Sequence, residues 1–235
     1  MTGGCLAYAI ARARGPDAPS FEGLSRFEAE GLAILHGPSI DGPLTVDLSR
    51  VEAYAAAVDR IHHRETILPL RYGCVVASEE GLAGLIRQHR DSWISSLDEV
   101  EGCDEMGLRL LLDTPMARPP EIPKPRSDVD RDRPGLAYLA SVRARIEEER
   151  TRSDGATQVS DSIRDALAGL SRRSVIELPG PGRERLLSLS FLVPRSGLGA
   201  FADTVRNLSG RVPGKLLLTG PWPAYNFVGD DLIAR

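Results

Sequence analysis

Six prolines between residues 115 and 134 constrain the fold of this chain more than any other feature of its sequence. They stand among polar and charged residues, and this composition resists both helix and sheet because proline fixes φ and lacks a backbone N–H. We therefore predict a stiff linker over residues 114–134. It separates an N-terminal domain, residues 1–113, from a C-terminal domain, residues 135–235, each large enough to bury its own core.

The first domain alternates short apolar runs with segments of helical periodicity. Two helices are predicted to begin at serine caps, one at Ser49, where Glu52 completes a capping box, and one at Ser78. Residues 12–30 fit either a short helix or an irregular loop. Strands are predicted over the apolar runs 5–11, 31–36, 67–76 and 106–112. This mixture of strands and helices predicts an α+β domain.

The second domain combines amphipathic helices with a hairpin and a last strand. Apolar residues recur at helical spacing over residues 136–146 and 159–170, and Ser196 is a candidate cap for a later helix. Strands are predicted over 174–178, 185–193 and 215–219. The order of elements resembles a ferredoxin-like unit whose first strand is altered or replaced. We therefore predict a modified ferredoxin-like α+β fold for this domain.

Three aromatic residues lie within six positions near the end of the chain, at Trp222, Tyr225 and Phe227. Pro221 and Pro223 stiffen the backbone around the tryptophan, because proline fixes its own φ and biases the preceding residue toward extended geometry. One interpretation is a hydrophobic lid over the core of the second domain. The other is that Trp222 or Tyr225 stays partly exposed and anchors a partner protein, as aromatic residues do at interface hot spots.

The charge balance argues against two classes of partner. A net charge of −4 and an isoelectric point near 5.7 give no electrostatic reason to expect nucleic acid or an anionic membrane. The sequence shows no leader and no apolar run of membrane length, and its three cysteines are far apart, which is typical of a reduced compartment. We expect a soluble cytoplasmic protein.

No group of residues in the sequence predicts catalysis or metal binding. His62 and His63 are adjacent, whereas two helical metal ligands normally stand three or four positions apart. The glycines at 180 and 182 lack the Gly-Lys-Ser/Thr that ends a phosphate-binding loop. We expect a protein that is not an enzyme and that binds neither a metal nor a cofactor.

Several separated motifs carry a family resemblance. Residues 68–73 read LPLRYG, Glu105 stands before an apolar run, residues 135–139 read GLAYL, and residues 218–228 read LTGPWPAYNFV. They resemble the LPLRFG strand, the glutamate-then-strand segment, the G-x-x-YL helix start and the TGPWPPYSFV signature of the gas vesicle protein GvpF/GvpL family. The motif positions expected to have a structural or partner-binding role are Leu68, Pro69, Arg71, Gly73, Glu105, Tyr138, Gly220, Pro221, Trp222, Pro223, Tyr225 and Phe227.

This resemblance implies a minor structural protein of gas vesicle assembly that has two α+β domains, the second of them a modified ferredoxin-like fold. It implies contacts with the small hydrophobic main shell protein during shell nucleation, contacts with other accessory gas vesicle proteins, and a cytoplasmic location at gas vesicles. No substrate or cofactor comes with the family. The alternative function is a small-ligand-binding regulatory module, because ferredoxin-like domains often have that role.

Arg71 and Glu105 carry opposite charges within two of these motifs. Both lie in predicted strands of the first domain, and opposite charges commonly pair across neighbouring strands. We predict an ion pair between them. The alternative is that Arg71 faces a carboxylate of a partner protein.

Overall fold

A computed structural model describes residues 4–40, 47–112, 143, 157–177, 186–212 and 214–228. The predicted linker over 114–134 and the motif residue Tyr138 lie outside these residues. So does almost all of the helix predicted over 136–146. The domain boundaries at residues 113 and 135 therefore stay a prediction.

The chain divides into two compact units. The first unit contains Met1–Met106, Leu192–Arg195 and Gly220–Arg235. The second unit contains Gly107–Phe191 and Ser196–Thr219. Residues 220–228 thus belong to the same unit as the first described residues of the chain, which decides how the terminal aromatic segment is understood below.

The first unit is built on a five-stranded antiparallel sheet in the order β2-β3-β1-β4, with β5 also paired to β1. Its two longest strands, β1 and β3, are rich in alanine, isoleucine and leucine that are almost fully buried. Such apolar strands suit a central position in a sheet. The strands are β1 Gly4–Arg12, β2 Ser25–Ala29, β3 Leu32–Ile40, β4 Ile67–Pro69 and β5 Val75–Val76.

Strand β2 corrects the interpretation of residues 12–30 as a helix or a loop. It forms a hairpin with β3, in which Phe27 pairs with Ile34. The connecting residues Glu30 and Gly31 have φ values of 48° and 82°. Two positive φ angles in succession are typical of the turns that join antiparallel strands most tightly. Charged residues on either side of Phe27 interrupt the apolar pattern, so this strand was not predicted from the sequence.

Two helices complete the described part of the first unit, and one of the two predicted caps is correct. Helix α2, Glu79–Val100, begins at Ser78, whose side chain accepts a hydrogen bond from the backbone N–H of Gly81. Helix α1, Leu48–His62, begins instead at Asp47, whose carboxylate accepts from the backbone N–H of Arg50 at 2.9 Å. The Ser49 hydroxyl donates to the same carboxylate at 2.7 Å, so it supports the cap without being it.

The remaining strands form a four-stranded sheet in the order β7-β8-β6-β9. A helix over residues 157–167, here α3, follows β6, and α4, Leu198–Leu208, precedes β9. This succession of elements and this strand order are those of a ferredoxin-like unit whose first strand is β6. The strands are β6 Cys103–Leu112, β7 Arg173–Glu177, β8 Leu186–Pro194 and β9 Gly214–Trp222.

The predicted α+β class is confirmed, with two corrections of detail. The first strand of the ferredoxin-like unit, predicted to be altered or replaced, is β6. We had expected β6 in the sheet of the first domain. Helix α4 follows a short turn over Arg195–Gly197 and has Gly197 in the cap position, so Ser196 does not cap it. Within the second unit, Phe191 and Phe201 pack with their ring centroids 5.4 Å apart and are fully buried.

Candidate protein-binding site

The LPLRYG motif forms β4 and the turn after it. A single strand over 67–76 was expected, but β4 ends at Pro69 and β5 begins only at Val75. Leu68 and Pro69 are buried and pair with β1. Arg71 and Gly73 are exposed in the turn, and Gly73 has a φ of 110°, which an L side chain rarely adopts. The first half of the motif therefore supports the core, and the second half reaches the surface.

The tyrosine of this motif joins an aromatic cluster. The ring of Tyr72 meets that of Tyr54 edge-on at 5.3 Å, and Tyr54 stacks on Tyr8 at 4.5 Å. The Tyr54 hydroxyl is shared between the backbone carbonyls of Ala7 and Leu70, each 2.9 Å away. Burial raises the pKa of Tyr54 far above its ordinary value, so the hydroxyl keeps the proton that it donates. Sequence reasoning did not identify this cluster.

The three tyrosines line a concave surface that we call the tyrosine groove. Its volume is about 400 Å³. Arg50 is ion-paired with Asp47 at 3.2 Å, whereas Arg60 forms no ion pair with any residue that the structure describes. Tyrosine and arginine are enriched at protein interfaces. The residues that define the groove are Tyr8, Leu24, Arg50, Tyr54, Arg60 and Tyr72.

Gly220 fixes the course of the terminal aromatic segment. Its φ is 108°, and a Cβ atom at this position would lie 2.7 Å from the backbone oxygen of Glu105 and 3.1 Å from the sulfur of Met106. No side chain fits such a gap without moving backbone atoms, so the position requires glycine. The peptide bond from Gly220 to Pro221 is cis. The signature thus begins with the chain pressed against β6.

Glu105 holds the other end of the segment. The residue is 5% exposed, and its carboxylate accepts two hydrogen bonds from Asn226, one from the backbone N–H at 2.9 Å and one from the side-chain amide at 2.5 Å. The predicted ion pair with Arg71 is wrong, because β4 and β6 belong to different sheets and Asn226 occupies the carboxylate. A buried carboxylate without a cation is retained only where N–H donors satisfy both oxygens.

The three aromatics of the signature have different environments. Phe227 is fully buried, and Tyr225 packs against the first-unit cluster that contains Tyr54. Burial raises the pKa of Tyr225 to about 12. Pro223 is buried, while Pro221 is exposed and Trp222 is 51% exposed.

A lid over the core of the second domain is therefore the wrong interpretation of this segment. Residues 220–228 belong to the first unit, where Phe227 is buried and Tyr225 is partly buried against the cluster that contains Tyr54. The other interpretation required a partly exposed Trp222 or Tyr225, and Trp222 meets that requirement. A tryptophan held between fixed points and left half in solvent is a typical anchor for a partner.

A second polar cluster of the first unit was not foreseen. Asp104 accepts hydrogen bonds from His62 at 2.8 Å and from Arg195 at 2.9 Å. Burial alone would raise the pKa of Asp104, but the hydrogen bonds from His62 and Arg195 outweigh it and hold the pKa below its usual value. His63 is exposed and bonds the carbonyl of Asp59. The two adjacent histidines thus have separate environments.

The described residues contain no group of three or more histidine, cysteine, aspartate or glutamate side chains that could hold a metal ion. Within the same residues, no helix is both long enough and apolar enough to cross a membrane. The features that stand out in the first unit are instead an exposed tryptophan, a groove of tyrosines and a segment pinned at Gly220 and Asn226.

A comparison with protein-family models accounts for these motifs. The model described as Gas vesicle synthesis protein GvpL/GvpF matches residues 4–229. This chain belongs to the GvpL/GvpF family. It is 28% identical over 188 residues to Gas vesicle protein L of Streptomyces sp. (strain CB03234), a match that covers 75% of this chain and 68% of the relative.

Solved structures of GvpF proteins share the fold. The crystal structure of GvpF from Microcystis aeruginosa matches 97% of this chain and 100% of its own length with a TM-score of 0.74. GvpF from Anabaena sp. PCC7120 matches with a TM-score of 0.71, over 97% of this chain and 98% of its own. Both are 16% identical in sequence, so the likeness concerns the fold alone.

Proposed function

We propose that this GvpL/GvpF-family protein acts in gas vesicle assembly as a minor structural component that contacts the small hydrophobic main shell protein during shell nucleation. The contact is a protein–protein interface and involves no catalysis. The observation that carries the proposal is the half-exposed Trp222 at the end of a segment whose backbone is fixed on both sides. Other accessory gas vesicle proteins are further partners in this proposal, and its place is the cytoplasm at gas vesicles.

The fixed backbone favours binding, because a segment that is already ordered loses less conformational entropy when a partner covers it. Trp222 has prolines on both sides, a glycine at 220 where any side chain would press on the backbone of Glu105, and a carboxylate clamp at Asn226. An aromatic side chain held in this way loses little freedom when a partner covers it. The anchor is therefore prepared before the partner arrives.

The exposed half of Trp222 sets the scale of the expected effect. A tryptophan side chain buries up to about 250 Å², so covering the 51% that is exposed removes about 130 Å² from water. At about 25 cal/mol per Å² this corresponds to about 3 kcal/mol, which lies in the range of interface hot spots. Trp222→Ala should therefore weaken binding of the shell protein by roughly 100-fold.

The tyrosine groove extends the proposed surface. Tyr225, Tyr72 and Tyr8 all pack against the cluster around Tyr54, so the groove and the terminal segment share one support. A hydrophobic partner that covers Trp222 can place a second apolar side chain against these rings. Arg60 at the groove supplies a cation without an ion-pair partner among the described residues.

The experiment is co-purification of the shell protein with the tagged chain from cells that assemble gas vesicles, together with deletion of its gene. Deletion should abolish or reduce vesicles, and the wild-type chain should retain the shell protein. Trp222→Ala should lose it while the circular dichroism spectrum stays unchanged. The matched control is Leu48→Ala, because Leu48 is an apolar side chain of the same unit that is 74% exposed. Normal vesicles without the protein, combined with no co-purification, would contradict the proposal.

A further inference from the structure

The sheet of the second unit exposes two large apolar side chains on neighbouring strands. Leu111 of β6 is 45% exposed and Leu217 of β9 is 60% exposed. Leu108 and Leu110 of β6 are fully buried, so alternate residues of this strand point to the core and away from it. We call the outward side of the two strands the β6–β9 face, which is defined by Arg109, Leu111, Lys215 and Leu217.

Two close contacts fix how these strands are aligned. A Cβ atom on Gly107 would lie 2.6 Å from the hydroxyl oxygen of Thr219, and that hydroxyl donates to the Gly107 carbonyl at 3.2 Å. At the beginning of β9, a Cβ atom on Gly214 would lie 2.9 Å from the Cα atom of Leu112. The strands therefore run antiparallel, and Thr219 stands beside Gly107 on the same side of the sheet.

This alignment places each exposed leucine opposite a cation. Two residues along each strand from the contact at Gly107, Arg109 of β6 stands opposite Leu217 of β9. Two residues further, Leu111 stands opposite Lys215. Directly opposed side chains have Cβ atoms about 5 Å apart, and diagonal neighbours are still within reach of long side chains. The two leucines thus form one apolar patch with a cation beside each of them.

Both cations of the face lack an ionic partner. Neither Arg109 nor Lys215 forms an ion pair with any residue that the structure describes, and Arg109 bonds the carbonyl of Leu108 at 3.4 Å. The parts of β6, β8 and β9 that belong to the second unit, residues 107–112, 186–191 and 214–219, contain no carboxylate side chain. The whole chain has a net charge of −4, so this face runs against the overall balance. Charge complementarity therefore selects an acidic partner.

The arrangement of the face favours a helix as the partner element. Side chains stand roughly perpendicular to a sheet, and a helix is the element that packs onto a sheet from above. A strand would have to add to the edge of the sheet at β9, where Lys215 and Pro221 are of the types that protect edges. A nucleic acid would need aromatic side chains for base stacking, and residues 107–112 and 214–219 contain none.

We propose that the β6–β9 face binds an amphipathic helix of another protein, one whose apolar stripe is flanked by glutamate or aspartate side chains. Apolar side chains of the helix cover Leu111 and Leu217, and its carboxylates pair with Arg109 and Lys215. This contact is separate from the proposed contact through Trp222, because it lies on the other unit and shares no residue with it.

Two synthetic helical peptides test the assignment by fluorescence anisotropy with the full chain. Both carry leucines at positions i, i+3, i+4 and i+7, and the flanking positions are glutamates in one peptide and lysines in the other. We expect the acidic peptide to bind and the basic one not to bind. The affinity for the acidic peptide should fall as salt is added, because exposed charges are screened. No binding of the acidic peptide, or equal binding of both, would overturn the proposal.

Charge reversal locates the site. Arg109→Glu combined with Lys215→Glu should reverse the preference, so that the basic peptide binds and the acidic one does not. The matched control is Arg206→Glu, because Arg206 is an exposed cation of the same unit that is already ion-paired with Asp203 on α4. It should leave the affinity for the acidic peptide unchanged. Equal affinities of the reversed variant and the control would refute the site.

A leucine variant tests the apolar part of the contact. Leu217→Ala should weaken binding of the acidic peptide roughly five-fold, since about half of a leucine side chain is no longer removed from water. Trp222→Ala should leave this affinity unchanged, which separates the present proposal from the shell-protein contact. Thermal unfolding of each variant identifies any that fails to fold. Unchanged affinity in Leu217→Ala would contradict the proposal, as would sedimentation with phosphatidylserine vesicles that the same variant abolishes.

Discussion

Gly220→Ala is the substitution whose effect the structure fixes most closely. The φ of 108° costs an L residue about 1–2 kcal/mol, and the overlap of a Cβ atom with the backbone oxygen of Glu105 at 2.7 Å adds about 1–3 kcal/mol. We expect a loss of about 2–5 kcal/mol in the free energy of unfolding of the first unit. The overlap cannot be relieved by a side-chain rotation, because the atom approached is backbone.

Gly73→Ala is the matched control for this prediction. Gly73 has a φ of 110°, almost the same as that of Gly220, but a Cβ atom there would meet nothing within 4 Å. It should therefore cost only the backbone part, about 1–2 kcal/mol. The difference between the two variants isolates the contact with Glu105.

Urea unfolding followed by tryptophan fluorescence measures this difference directly. The chain has two tryptophans, Trp93 and Trp222, and both belong to the first unit, so the signal reports on that unit. With a slope of about 1–3 kcal/mol per molar urea, the midpoint for Gly220→Ala should fall by about 1 M more than that for Gly73→Ala. Equal midpoints for the two variants would refute the close approach of the terminal segment to β6.

Two further predictions concern the carboxylates of β6. Glu105→Gln replaces one acceptor oxygen by a donor, so one N–H of Asn226 loses its acceptor and the same unfolding assay should show a loss of about 1–3 kcal/mol; no loss would argue against the clamp. The pKa of Asp104 is lowered in the folded protein, so its hydrogen bonds from His62 and Arg195 contribute to the free energy of unfolding in full above the ordinary aspartate pKa near 4. This contribution is lost as the pH falls through the lower pKa of the folded state. Asp104→Asn should therefore be much less stable than wild type at pH 6 and nearly equal to it well below pH 3, and a gap that does not shrink in acid would contradict this account.

Structural features that depend only on neighbouring residues, such as helix caps, were predicted from local sequence signals. The cap at Ser78 and the helix after it follow from hydrogen bonds within one turn, and both were predicted. The cap of α1 was misassigned by two positions because Asp47 and Ser49 are both good caps, and only the geometry shows which one accepts from the helix. Strand β2 was missed because its single large apolar residue, Phe27, gives too short a pattern.

Contacts between distant parts of the chain decided the rest. Glu105 and Asn226 are 121 positions apart, and no periodicity indicates that they meet. The motif resemblance identified both segments, but pairing by opposite charge across strands predicted the wrong partner, Arg71. The place of β6 in the second sheet and the exposure of Trp222 likewise depend on long-range packing.

Site-specific photo-crosslinking tests the central claim of a shell-protein contact most directly. The photoreactive amino acid p-benzoyl-phenylalanine replaces Trp222 in cells that assemble gas vesicles, and the crosslinked partner is identified by mass spectrometry. The account predicts a crosslink to the main shell protein from position 222 and none from Leu48, which is more exposed than Trp222. A chain that crosslinks to the shell protein equally from both positions, or from neither, would contradict it.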